Sequence, residues 1–269
     1  MKAAPAAPAD TTVDAFIGGQ VEAVQPTRGH HRSGLEAVLL GAALDSGSSG
    51  TLVDLGAGAG VAGMVAAARC PELSVVLVER DQTALACARA ALARPVNAAF
   101  SPRVSVVGAD IAAPEAERER AGLARAGADW LLTNPPFHLA ETASPPPGAA
   151  RAAAHVLAGG GLDAWMRAAV SALKVGGVAV VVFRADRLPD LLAATTGRFG
   201  GIDILPIHPR ADEPAHRVLV RATKGSRATT RLLPALNLHG ATGGTYLPPV
   251  ERMLRAGAGL AEIHPVWAV

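Results

Sequence analysis

Aromatic side chains are scarce in this chain, with one Tyr, three Trp and five Phe among 269 residues. A platform on which successive bases stack needs several aromatics along one groove, so the composition argues against an extended platform and leaves room for one captured base. Cysteine is scarcer still. Cys70 and Cys87 form no Cys-x-x-Cys pair and lie near no His cluster, which supports neither a disulfide framework nor a metal site; both read as small core residues. Long apolar runs are also missing. The longest, such as residues 178–183, fall far short of the roughly 20 residues that a bilayer-spanning helix needs, and the first dozen residues hold Ala and Pro without the continuous apolar region of a signal peptide. These absences indicate a cytoplasmic protein with no membrane partner and a mobile tail over residues 1–12. Charge of one sign is lacking too: 25 Lys and Arg stand against 23 Asp and Glu, a formal net charge of +2, which permits a nucleic-acid partner without demanding one.

Half of the residues are apolar, enough for one substantial core. Residues 13–25 alternate loosely around Gly18-Gly19, a two-residue hairpin signal. A polar, basic stretch with Arg28, His30, His31 and Arg32 follows, then an apolar helix over about residues 34–44. The paired histidines have no third ligand at a useful spacing, and the stretch reads as a flexible cap over a pocket or as a solvated loop. Further on, strand and helix patterns alternate: strands at residues 51–55, 75–78 and 129–133, and helices at 82–94, with Asp81 as a cap, and 162–173. Gly176-Gly177 should end the last helix before a core strand at 178–183, with two final strands near 202–206 and 216–223. That order predicts a doubly wound, mostly parallel α/β sheet with right-handed crossovers. Residues 114–127 alternate Glu and Arg, as a solvated helix does.

Two stretches carry chemistry. Directly after Val53-Asp54-Leu55 comes Gly56-Ala57-Gly58-Ala59-Gly60, running on to Gly63. Gly58-x-Gly60-x-x-Gly63 literally fits a dinucleotide fingerprint, with Glu79 about 20 residues on, and taken alone it favours a nicotinamide dehydrogenase. Asp54 just before the glycines sits poorly beside a pyrophosphate, however, and suits the ammonium group of a methionine moiety. The second stretch is Asn134-Pro135-Pro136-Phe137, an apolar strand ending in an amide, two prolines and a ring. Each prolyl ring lacks an N–H and restricts the residue before it, so the chain leaves the strand as a stiff bend with free carbonyls. The Asn134 side-chain oxygen and the Pro135 carbonyl can then accept both hydrogens of one flat –NH2 group, freeing its lone pair, while Phe137 stacks on it. The plain alternative is a Pro-Pro stop after a buried strand. A long irregular span containing residues 144–148 follows, long enough for a lid or recognition loop.

With its Asp-x-Gly-x-Gly-x-Gly turn, the chain resembles the class I S-adenosylmethionine-dependent methyltransferases. The resemblance implies a seven-stranded Rossmann-like sheet with an N-terminal hairpin and helix extension, and S-adenosylmethionine as cofactor. It places Glu79 on the ribose hydroxyls and Asp110 near the adenine amino group, with Asp54, Gly56, Gly58, Gly60 and Arg32 completing the cofactor contacts. Gln25-Pro26, Gly29, His31-Arg32, Glu36 to Leu40, Asn134 to Phe137, Ala215 to Leu219 and Tyr246 together look like the bacterial valine-tRNA adenine-N(6) methyltransferase family. That likeness implies a single domain over residues 13–269, made of a cap at 13–46, a core at 50–224 and an extension at 225–269, and methylation of adenine N6 in tRNA. The chain departs from the family at His31, Glu36 and Phe137, where Tyr, Asp and Tyr are usual. Arg217, Arg221 and Lys224, within a basic run uninterrupted by acid, are either phosphate contacts on RNA or a solvated edge. Four rivals stay open: a ribosomal-RNA guanine methyltransferase, a protein glutamine methyltransferase, the dehydrogenase, and a non-catalytic RNA-binding module.

Overall fold

The structure is a computed structural model that describes residues 8, 10–28, 32–136 and 161–268. Gly29, His30, His31, Phe137, His138, the span at 144–148 and most of the expected tail therefore lie outside the described residues.

Regular pairing starts earlier than the sequence suggests. Strand β1 (Thr11–Phe16) pairs antiparallel with β2 (Val21–Pro26) from Thr11↔Pro26 onward, inside the stretch read as tail. The connection is also longer than two residues: Phe16 pairs with Val21, and a 3-10 turn over Ile17–Gly19 plus Gln20 joins the strands. Helix α1 (Leu35–Ala42) follows, with Leu39 and Leu40 fully buried.

The central sheet comprises β3 (Gly50–Leu55), β4 (Leu73–Glu79), β5 (Val104–Gly108), β6 (Ala128–Thr133), β7 (Leu173–Arg184), β8 (Phe199–His208) and β9 (Arg217–Lys224), in the spatial order β5-β4-β3-β6-β7-β9-β8. All neighbours from β5 to β7 run parallel, and β9 runs antiparallel between β7 and β8. This is the expected seven-stranded, doubly wound sheet, with strand order reversing at β3, where such sheets bind ligands. Two short strands, β10 (Arg231–Leu232) and β11 (Leu236–Asn237), pair parallel with β8 and bring the sheet to nine.

Crossover helices cover both faces. On one lie α1, α2 (Val61–Arg69) and α3 (Gln82–Leu92), packed with the hairpin and the C-terminal helices α7 (Pro248–Ala256) and α8 (Leu260–Ile263). On the other lie α5 (Gly161–Ala172) and α6 (Leu188–Thr195). Asp81 caps α3 by accepting the Ala84 N–H at 2.8 Å, as its position suggests. Helix α4 (Glu115–Ala121) buries no residue, in keeping with its charge pattern. Cys70 and Cys87 are buried and free. Residues 225–268 pack into the main core, where Val250, Met253, Leu260 and Trp267 are almost inaccessible and the Trp267 indole donates to the Ala43 carbonyl at 2.8 Å.

Gly176-Gly177 does not separate helix from strand. β7 begins at Leu173, directly after α5; Leu173 pairs with Ala128 and Val178 with Trp130, so residues 174–177 bow out as a bulge within one continuous strand. A positive φ of 79° at Gly176 serves that bulge, a role glycine takes inside strands as well as at their ends. Among the described residues, no helix is long and apolar enough to cross a membrane.

Candidate active site at the C-terminal edge of the sheet

Parallel register lines the sequence motifs up in one row. Leu55 pairs with Val78 on one side and with Thr133 on the other, and Glu79 pairs with Gly108. The residues following these partners, Gly56 and Asn134, therefore flank each other beside Glu79, with Asp110 one step beyond β5. Four separate stretches of chain converge on one edge, as the sequence suggests.

The glycine turn is held tightly. Gly56 and Ala57 both donate backbone N–H to the Val78 carbonyl at 2.9 Å. Glu79 Oε2 accepts the Gly58 N–H at 2.9 Å, while Oε1 accepts the N–H groups of Arg80 and Asp81 at 2.8 and 2.9 Å. Three of the roughly four lone-pair sites of the carboxylate are thus filled by backbone donors, which fixes its plane and leaves capacity for a hydroxyl. A Cβ on Gly58 would meet nothing within 4 Å, so the turn faces open space there, as a cradle for a nucleoside requires. Asp110 Oδ1 accepts the Ala112 N–H at 2.9 Å, and Oδ2 pairs with Arg80 at 3.3 Å across an exposed surface.

Asp54 is buried, with 3% of its surface exposed, and Oδ2 accepts the Gly63 N–H at 2.8 Å. Gly60 begins α2 with no side chain to cap it, so Asp54, reaching up from β3, satisfies one of the free N–H groups of the first turn. Burial pushes the Asp54 pKa up to about 7, the Gly63 hydrogen bond opposes this, and the Glu79 charge adds to it.

Thr133 and Trp165, which the sequence reading missed, shape the space between Gly56 and Asn134. The Thr133 hydroxyl donates to the Leu55 carbonyl at 2.7 Å and accepts the Trp165 indole N–H at 2.8 Å. That hook holds the Trp165 ring from α5 against Gly56, where a Cβ would lie 2.6 Å from Trp165 Cζ2 and where φ is +76°. The only available signal was a Trp one turn into the helix following the Asn-Pro-Pro bend, in a chain with three Trp residues.

Asn134 itself is half-buried, Pro135 buried and Pro136 exposed. Asn134 Nδ2 donates to Glu36 Oε2 at 3.2 Å, and Glu36 Oε1 accepts from Arg217 Nε. Asn134 Oδ1 is buried and has no hydrogen-bond partner among the described residues. Leaving such an acceptor unpaired costs about 1–3 kcal/mol, which sets it apart from the other buried polar groups of the edge. Beside Glu36 and Arg217 opens a cavity of about 340 Å³, lined by the apolar Leu35, Leu39, Ile207 and Leu238 and by Arg32 and His216. Among the described residues, no group of three or more His, Cys, Asp or Glu could hold a metal ion.

The basic run divides along β9. Arg217 starts the strand at the site edge, paired with Arg184 at the end of β7, while Lys224 ends it at the opposite edge, about 23 Å away at the usual rise per strand residue. Lys224 Nζ donates to the Val170 and Leu173 carbonyls at 2.6 and 2.7 Å, closing the end of α5. Arg221 is buried: it donates to Asp203 Oδ2 at 2.7 Å and to the Trp267 carbonyl at 2.6 Å, and lies 4.7 Å from the centre of the Trp267 ring. Arg231 closes on the same carboxylate. Neither phosphate contact nor a solvated edge describes Arg217, Arg221 and Lys224 as one set: the strand runs from one edge of the sheet to the other and Arg221 lies buried within it, so a basic run in sequence is not a patch in space. Arg32, expected near the cofactor, instead ties the hairpin together through Asp14 at 2.6 Å, Thr12 and the Pro26 carbonyl, and reaches the site only as part of the cavity lining.

A family model described as methyltransferase small domain matches residues 35–199. Among solved structures, a predicted O-methyltransferase from Agrobacterium tumefaciens is similar with a TM-score of 0.71 and 34% sequence identity, covering 83% of this chain and 97% of that one. A "putative transferase" from Pyrococcus horikoshii shares the fold with a TM-score of 0.51 and 14% identity, over 81% of this chain and 74% of that one. No curated protein matches.

Proposed function

The chain belongs to the methyltransferase small domain family, with S-adenosylmethionine as its methyl donor, and on that premise we propose that it methylates the exocyclic amino nitrogen of a nucleobase in RNA, foremost adenine N6 in tRNA. The observation that carries this reading is the buried Asn134 Oδ1, without a partner among the described residues, beside the glycine turn.

The residues of the edge fit the donor. Glu79 would take a ribose hydroxyl on its remaining lone pair, Asp110 would meet the adenine amino group, and Asp54 would offer negative charge to the methionine ammonium. Gly56, Gly58 and Gly60 let the backbone come close. When bound, S-adenosylmethionine supplies an electrophilic methyl group. Asn134 Oδ1 and the Pro135 carbonyl accept the two amine hydrogens, which orients the nitrogen lone pair and draws it out of conjugation; such orientation and preorganised polarity supply most of the acceleration. The amine loses its proton after attack, so no side chain need act as base beforehand. The Agrobacterium tumefaciens relative is described as an O-methyltransferase, and a hydroxyl could also donate to Asn134 Oδ1. A hydroxyl, however, must give up its proton as it attacks, and the carboxylate in contact with Asn134, Glu36, is engaged by Arg217 and Asn134; this favours the amine.

Arg217 at the site edge, with Arg32 and His216 around the 340 Å³ cavity, gives the RNA backbone its first contacts. The test is methyl transfer from labelled S-adenosylmethionine to unmodified total RNA and, in parallel, to total protein, with RNase treatment of the labelled product. Label that RNase removes is the expected result. Label that survives RNase and is lost to protease would overturn the RNA assignment in favour of a protein amide.

A further inference from the structure

Asn134 carries a donor end and an acceptor end of nearly equal shape, and its surroundings decide which way the amide lies. The atom facing one end is Glu36 Oε2, at 3.2 Å from Nδ2. An ionised carboxylate only accepts hydrogen bonds. The amide must therefore turn its NH2 toward Glu36, which leaves Oδ1 as the buried end without a partner among the described residues. Glu36 is itself steadied by Arg217 through its other oxygen. The three residues come from the first turn of α1, the end of β6 and the start of β9, so the chain of contacts exists only once the sheet is assembled.

We propose that Glu36 is a positioning residue which, held by Arg217, locks the Asn134 amide so that an acceptor and never a donor faces the incoming nucleophile. The inference rests on the reading of Asn134 given above. It extends that reading by assigning selectivity to a residue outside the Asn-Pro-Pro bend: with the amide locked, the site takes groups that bring a hydrogen and rejects those that bring only a lone pair. Glu36→Gln removes the lock while keeping the size, because a carboxamide can donate to Asn134 Oδ1 as readily as it can accept from Nδ2.

The experiment measures binding of two cofactor analogues to the full chain: S-adenosylhomocysteine, and an analogue carrying a primary amine where the sulfonium methyl would sit. The amine brings N–H donors to Asn134, so the affinity ratio of the two reports the acceptor without any RNA being present. The wild type should prefer the amine analogue. Asn134→Ala should lose that preference, and Glu36→Gln should lower it by about twofold, the loss expected when the amide divides evenly between its two orientations, with S-adenosylhomocysteine binding and Tm unchanged. Glu36→Asp should recover part of it, and adding Glu36→Gln to Asn134→Ala should change nothing further. If Asn134→Ala lowers the ratio and Glu36→Gln does not, the lock is overturned while the reading of Asn134 stands. If Asn134→Ala leaves the ratio at the wild-type value, that reading fails and the lock with it. A Glu36→Gln protein that loses S-adenosylhomocysteine binding and Tm together would show a purely structural pair, which also overturns the proposal.

Discussion

At Asp54 a buried carboxylate holds its proton to about pH 7, far above its value in an unfolded chain. The folded state thus binds this proton more tightly than the unfolded state does. The contribution of Asp54 to stability is then fullest below the ordinary carboxylate range and is lost as pH rises toward 7, by at most roughly 4 kcal/mol at about 1.4 kcal/mol per pH unit. Asp54→Asn keeps an acceptor for the Gly63 N–H and removes the charge. Urea denaturation of the cofactor-free protein between about pH 4 and pH 8 should show the wild type losing stability relative to the variant as pH rises. The same variant should bind S-adenosylmethionine more weakly, since it offers no charge to the ammonium group. In the wild type, affinity should rise with pH up to about 7, because binding a cation favours the ionised carboxylate. At Asn134 the outcome differs: Asn134→Ala should lower turnover by about 10²–10³ with cofactor affinity nearly unchanged, as isothermal titration and labelled transfer at saturating cofactor would show. Both residues stand out in the sequence because each lies at an abrupt change from apolar strand to small or rigid residues. The rise in the Asp54 pKa does not, since it depends on complete burial, which a single polar residue in a strand does not announce.

Elements add constraints that motifs leave out. The Thr133 hydroxyl, the Trp165 indole and the bare Gly56 form one wall built from β6, α5 and the glycine turn. Gly56→Ala forces a side chain into the Trp165 ring at a positive φ, a strain of about 1–3 kcal/mol from the backbone alone; differential scanning calorimetry should show a lower Tm, and titration a loss of cofactor binding. Thr133→Val leaves the indole N–H and the Leu55 carbonyl without this partner, a cost of about 1–3 kcal/mol. Strand and helix patterns were readable because these strands are buried on both faces and read as apolar runs. The Gly176-Gly177 bulge was misread since a glycine pair looks the same in a bulge as in a helix stop. The basic run was misread for a different reason. Arg221 serves Asp203 and the Trp267 carbonyl in the core, so Arg221→Met should lower Tm by several degrees while leaving RNA affinity unchanged by filter binding at fixed salt.

Over the whole molecule, the fold puts the glycine turn, Glu79, Asp110 and Asn134 on one edge, and that convergence could be inferred from the order of strands and helices alone. Contacts between distant stretches could not. Glu36, Asn134 and Arg217 are separated by most of the chain and meet only through the placement of β9 beside β7; in the sequence, Glu36 was visible merely as a departure from a family pattern. With a formal net charge of +2, the molecule has no large cationic field, and its hold on RNA should come from a few contacts near Arg217. The salt dependence of RNA binding should accordingly be shallow, equivalent to roughly two to four phosphates at about 0.7 per phosphate on a single strand, and Arg217→Gln should reduce it further.

The most direct test of the account is nucleoside analysis of unmodified tRNA after reaction with S-adenosylmethionine and either the wild type or Asn134→Ala. The account predicts 6-methyladenosine from the wild type, with the variant about 10²–10³-fold slower. Methylation of a ribose hydroxyl or of guanine, or equal rates for the two proteins, would contradict it.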